Sequence, residues 1–139
     1  MNKYAHGEYQ EALQNFLIWI KFYEKINDRA VLANLYFNVY SCYFKMRKFK
    51  KALHVIEKAI ENEQREEQRL ILNVFKLVNL IKLEHYIEAN ALFQFLLLDA
   101  NEETIIQNVT RAGLTDFSSS DLNKKAKNQL NKITDIPCI

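Results

Sequence analysis

Between Glu8 and Lys25 the apolar residues return at steps of three and four: Tyr9, Ala12, Leu13, Phe16, Ile20 and Tyr23 fall on one stripe. That period predicts an amphipathic helix. Asn27 and Asp28 follow as a turn and an N-cap, because short polar side chains accept from the free amides of the next helix. A second helix is predicted from about Arg29 to Met46, with Leu32, Leu35, Tyr36, Val39, Tyr40, Tyr43 and Met46 inward. A tight turn at Arg47 and Lys48 leads to a third, from about Phe49 to Gln64, whose core face is Ala52, Leu53, Ile56, Ala59 and Ile60. Glu61 and Arg65 read as an i, i+4 ion pair on its solvated end. A fourth helix spans about Glu67 to Leu83, with a stripe of Ile71, Val74, Val78 and Ile81, and a fifth spans about Tyr86 to Leu98. Beyond Asn101, Ile105, Ile106 and Val109 mark a short helix closed by Gly113. The loop Ser118 to Asp121 offers an N-cap to a last helix striped by Leu122, Ala126, Leu130 and Ile133, which ends before Pro137.

A phrase recurs within this pattern. Gly7-Glu8-Tyr9-Gln10-Glu11-Ala12, Arg47-Lys48-Phe49-Lys50-Lys51-Ala52 and Glu84-His85-Tyr86-Ile87-Glu88-Ala89 each place an aromatic three residues before an alanine. Four residues after each alanine stands Phe16, Ile56 or Phe93, so a notch and a knob lie one turn apart on one face. The aromatics are 40 and then 37 residues apart, and a period of that size marks stacked helical hairpins.

The middle copy carries a family resemblance. Tyr36-x2-Val39-Tyr40-x2-Tyr43, followed by Ala52 sixteen residues after Tyr36 and then Ile56 and Ala59, is similar to the pattern of the tetratricopeptide repeat family. The copies depart from it. Tyr40 stands where that family prefers glycine, which implies helices set further apart or tilted. Gln64 replaces the usual proline, and Asn73 occupies the aromatic position of the third copy. The resemblance implies an all-α fold, a superhelical stack of antiparallel helix pairs of about two and a half repeats over residues 1–100. The irregular segment 101–139 would close it with a capping helix. The first copy lacks its opening helix, so the sequence reads as starting inside a repeat.

Composition narrows the function classes. Two Gly and one Pro in 139 residues leave no material for a phosphate-cradling loop. His6, His54 and His85 are scattered without metal-ligand spacing, and carboxylate pairs such as Glu8 with Glu11, or Glu66 with Glu67, belong to solvated helix ends. No enzyme, cofactor or metal is therefore expected. Cys42 and Cys138 are too few for a disulfide framework, Cys42 lies within a helical core pattern, and no apolar leader or spanning stretch is present. These features point to a cytoplasmic protein without a membrane partner. The net charge of +2 is too small to specify nucleic acid. Its local excess sits in Lys45, Arg47, Lys48, Lys50 and Lys51, where the one interleaved aromatic, Phe49, is a core position, so no direct nucleic-acid contact is expected.

The resemblance further implies that the first helix of each pair lines a groove that holds a protein or peptide. In the middle repeat the groove positions are Asn34, Phe37, Asn38, Ser41 and Lys45. In the next repeat, the polar side of its first helix offers Asn73, Lys76, Asn79 and Lys82. Asparagine amides both donate to and accept from an extended backbone, and Lys76 or Lys82 would hold a carboxylate. An alternative reading takes the chain as the ligand-sensing and dimerising part of a bacterial peptide-responsive transcription regulator, separated from its DNA-binding part. Trp19, Phe22 and Tyr23 form a second aromatic group, expected to pack on an upstream helix or on another subunit in a homodimer. Purely structural assembly through Trp19 and the last helix is a third reading.

Overall fold

The computed structural model describes residues 6–134 and is all-helical over them. Its elements are α1 (His6–Lys25), α2 (Arg29–Lys45), α3 (Phe49–Asn62), α4 (Glu66–Lys82), α5 (Tyr86–Leu96), α6 (Glu102–Arg111) and α7 (Ser119–Thr134). The boundaries expected from the hydrophobic period are met within about two residues. Contacts divide the chain into two compact units, one ending at Leu72 and one beginning at Asn73, so the division falls inside α4.

The helix starts follow from their caps. Asp28 accepts from the Val31 amide at 3.2 Å and Asn101 from the Thr104 amide at 2.8 Å. Ser118 Oγ does the same for Asp121 at 3.2 Å. In each case a short polar side chain satisfies an amide that has no partner within its helix.

The helix ends share one device. The amides of Asp28, Lys48, His85 and Leu114 each donate to the carbonyl five residues back, on Tyr23, Tyr43, Leu80 and Val109. The residue before each is left-handed: Asn27 at φ 55°, Arg47 at 61°, Glu84 at 60° and Gly113 at 111°. Two residues earlier again stands a cation, Lys25, Lys45, Lys82 or Arg111, which complements the negative end of its helix. Only Gly113 suits the left-handed region without cost, and Asn27 tolerates it. Arg47 and Glu84 do neither. Glu84→Gly is therefore expected to raise stability by about 0.5–1 kcal/mol, the relieved backbone strain exceeding the added freedom of the unfolded chain. A melting curve that falls or does not move contradicts the strain at this turn.

In the first unit, α2 packs against both α1 and α3. Leu32, Ala33, Tyr36, Val39, Tyr40 and Cys42 are buried on α2, Met46 at its C-cap, and Ala52, Val55, Ile56 and Ala59 on α3. Val55 joins a face for which Leu53 and Ile60, both half-buried, were expected. Tyr40, in the position where a smaller residue was anticipated, is buried between Phe37 and Phe44, with ring centroids 5.9 and 5.6 Å away. Burial pushes its hydroxyl well above the ordinary tyrosine range. Tyr36 ties the helices together. Its hydroxyl donates to Glu24 of α1 at 3.0 Å, and Lys58 of α3 lies 6.0 Å from its ring centre. Burial first, and then that carboxylate, push the hydroxyl up to about 12. Arg29 at the start of α2 donates to the carbonyl of Glu61 near the end of α3.

The expected Glu61–Arg65 pair does not form, because α3 ends at Asn62 and the two residues no longer share a helix. Arg65 instead meets Glu63, Nε to Oε1 at 2.8 Å, and its backbone amide donates to the same oxygen at 3.2 Å. Glu63 is buried, and the bond from Arg65 holds its carboxyl below the ordinary carboxylate range although burial opposes this. A depressed folded-state value means that the stabilisation is complete above the ordinary glutamate range near pH ~4.3 and is lost as pH falls through the lower folded value. Glu63→Gln is expected to lower the Tm at pH 7, with the gap from wild type closing in acid. A gap that stays constant with pH contradicts the ion pair's role.

The second unit holds the rest of α4, then α5, α6 and α7. Val74, Leu77, Val78, Leu80, Ala89, Phe93, Leu96, Ile105, Val109, Ala112, Leu122 and Ala126 are its buried apolar positions. α7 packs along α5, and Phe93 meets Phe117 at 5.4 Å between ring centroids. His85 caps α5 without a side-chain bond, and Gln129 of α7 supplies what is missing. Its Oε1 accepts from the Tyr86 amide at 3.0 Å while its Nε2 donates to the Glu84 carbonyl at 2.7 Å. The expected α7 stripe is buried only in its first half: Leu122 and Ala126 are inward, whereas Leu130 and Ile133 are exposed.

Candidate partner-binding surface

The five expected positions on α2 form one surface. Asn34, Phe37, Asn38, Ser41 and Lys45 follow the i, i+3, i+4, i+7, i+11 pattern, which holds them to a single stripe. That stripe lies opposite the face carrying Leu32, Tyr36 and Val39, which is why it remains open. Asn34, Asn38 and Lys45 are exposed, and Phe37 and Ser41 are half-buried. Phe37 is held at 25° to the Tyr40 ring, so its position is fixed by a buried neighbour.

The four positions on α4 do not behave alike. Asn73, Lys76, Asn79 and Lys82 step by three, and each step turns 60° short of a full circle, so they spiral across half the helix. Asn73, Lys76 and Lys82 are half-buried, and Asn79 is 0% exposed. Asn79 therefore faces no solvent, which corrects its expected place in a groove. The signal was present in the sequence: Leu70, Ile71, Leu72, Val74, Phe75, Leu77, Val78, Leu80 and Ile81 surround the helix on nearly every side, the mark of a buried helix rather than an amphipathic one. Lys45 and Lys82 share a further role as the cations at the C-terminal ends of α2 and α4.

Beside the α2 stripe, Lys45, Arg47, Lys50 and Lys51 are exposed and Lys48 is half-buried. Two of these cations are positioned by aromatic rings. The Arg47 guanidinium lies 5.4 Å from the Phe49 ring centre, and the Lys51 ammonium 5.8 Å from that of Tyr43. The end of α2 thus presents a group of positive charges, two of them lying against rings, next to amide and aromatic groups.

The second unit contains a small cleft of about 130 Å³, lined by Tyr86, Phe117, Asp121, Leu122 and Lys125 among others. The Lys125 ammonium bonds Asp121 at 3.1 Å and lies 5.2 Å from the Tyr86 ring centre, so the chain's own cation occupies its polar side. Asp121 raises the Lys125 value above the ordinary lysine range, chiefly through that bond. The i, i+4 spacing of the two residues was the available signal for this pair. His54 and His85 are exposed, and Cys42 is buried, which pushes its thiol up. His6's side chain and Cys138 lie outside the described residues. Among the described residues, no three His, Cys, Asp or Glu side chains are grouped to hold a metal ion. Likewise, no helix there is long and apolar enough to cross a membrane.

Comparison of the chain with family models, with curated proteins and with solved structures gives no match.

Proposed function

We propose that this chain is a protein- or peptide-binding module of tetratricopeptide-like helix pairs, holding an extended partner segment along the polar face of α2. The observation that carries this reading is the stripe of Asn34, Phe37, Asn38, Ser41 and Lys45 on the side of α2 opposite its buried face. Asn34 and Asn38 lie one turn apart, and each offers a donor and an acceptor to peptide groups of an extended strand. Phe37 adds apolar contact at little entropic cost because Tyr40 already fixes it. Lys45, with Arg47 and Lys51 beyond it, favours a partner carrying a carboxylate at that end. The role is binding without catalysis. A reducing cytoplasmic setting belongs to the same proposal, supported by Cys42 kept as a buried thiol.

Peptide selection against the immobilised full chain tests it. Selected peptides are expected to carry acidic groups, and Asn38→Ala with Lys45→Ala is expected to weaken them about tenfold or more while circular dichroism stays unchanged. Equal binding by the double variant overturns the assignment of this face.

A further inference from the structure

The outer face of α1 carries Ile18, Trp19 and Phe22 at the spacing of one helix side, with Ile26 in the turn that follows, and all four are exposed, Ile18 at 66% and Trp19 at 53%. The repeated phrase says what this face is. Trp19 stands seven residues after Ala12, as Ala59 does after Ala52 and Leu96 after Ala89. Ala52, Ala59, Ala89 and Leu96 are all buried, and α3 buries its pair while packing along α2. On α1 the same two positions are half-buried Ala12 and exposed Trp19. The side of α1 that corresponds to a helix-packing side elsewhere in the chain is thus open among the described residues, and at Trp19 it bears a larger apolar group than its counterparts Ala59 and Leu96.

We infer that this face binds the same face of a second copy of the chain, α1 against α1 in an antiparallel, two-fold arrangement. The charges on α1 select that occupant. Glu8 and Glu11 are exposed in its first half, and Lys21 and Lys25 in its second half. Antiparallel pairing centred near Ile18 and Trp19 sets Glu11 of one copy beside Lys25 of the other, and symmetry repeats the contact. A parallel pairing would set like charges together. The apolar centre is preorganised: Trp19 lies 6.3 Å from Phe22 and 6.2 Å from Tyr23, so the ring cluster exists before association. A rigid aromatic anchor ringed by complementary charge is the composition of an energetic centre in protein interfaces.

Sedimentation equilibrium of the full chain, from micromolar to millimolar concentration, tests this with the emission of its one tryptophan as a second readout. The mass is expected to double with concentration and Trp19 emission to move to the blue with the same midpoint. Ile18→Glu, a change at an exposed position, is expected to weaken association about tenfold or more without loss of helicity. Glu11→Lys alone is expected to weaken it, and Glu11→Lys combined with Lys25→Glu to restore it. A monomer at every concentration, or a dimer that survives Ile18→Glu with unmoved emission, overturns the inference. Failure of the double reversal to restore association overturns the antiparallel pairing.

Discussion

Ala52→Phe is expected to lower the Tm by about 4–10 °C or more, from an overpacking cost of roughly 1–3 kcal/mol or more. Ala52 is 0% exposed, with Val55, Ile56 and Ala59 buried on the same helix and α2 packed alongside. A phenyl group there has no space unless the two helices separate, and close-packed interiors do not yield that readily. Ala12→Phe is the matched control. It makes the same chemical change at the equivalent phrase position, but on a half-buried site, and is expected to cost under about 1 kcal/mol. Thermal unfolding followed by far-UV circular dichroism separates the two. Equal effects would mean that the notch on α3 is not a packing position.

The second large effect is Phe93→Ala, expected to destabilise the second unit by about 3–5 kcal/mol. Phe93 is among the largest fully buried side chains, and its ring meets Phe117 in the segment between α6 and α7. Removing it leaves a void beneath that segment and deletes the aromatic contact. The loss should appear first as faster amide exchange in α7, which packs on the same helix. Urea unfolding gives the magnitude. A change below about 1 kcal/mol would contradict the packing described for α5.

The elements were legible in the sequence because breakers are few, and of those in the described residues Gly7 lies in the first turn of α1 and Gly113 closes α6. Asp28 and Ser118 announced their helices through side-chain chemistry that acts within three residues, and Asn101, not expected as a cap from the sequence, acts in the same way. The left-handed residues at Arg47 and Glu84 were not legible, since neither is the glycine or asparagine that marks such a turn. What identifies them is position, two residues after a terminal lysine, a regularity visible only once the three turns are superimposed. The α2 stripe was legible because α2 has one open side. The α4 residues were misplaced because polar residues at steps of three resemble a face, although the apolar residues on most sides of that helix already marked it as buried. Asn79 is the consequence: a polar residue that the period placed outside and the packing placed inside. The pairing of Glu63 with Arg65 depended on α3 ending two residues earlier than its charge pattern implied. The exposure of Leu130 and Ile133 reflects how far α7 extends, which no local pattern encodes.

The face of α2 as the working surface is the claim on which the functional account rests. NMR titration of the isotope-labelled chain with a selected peptide tests it most directly, through the side-chain amide signals of Asn34 and Asn38 and the backbone signal of Ser41. The account predicts that these signals shift together and saturate with one affinity while those of α7 stay in place. Shifts confined to α1 or α7, with Asn34 and Asn38 unmoved at saturation, would contradict it.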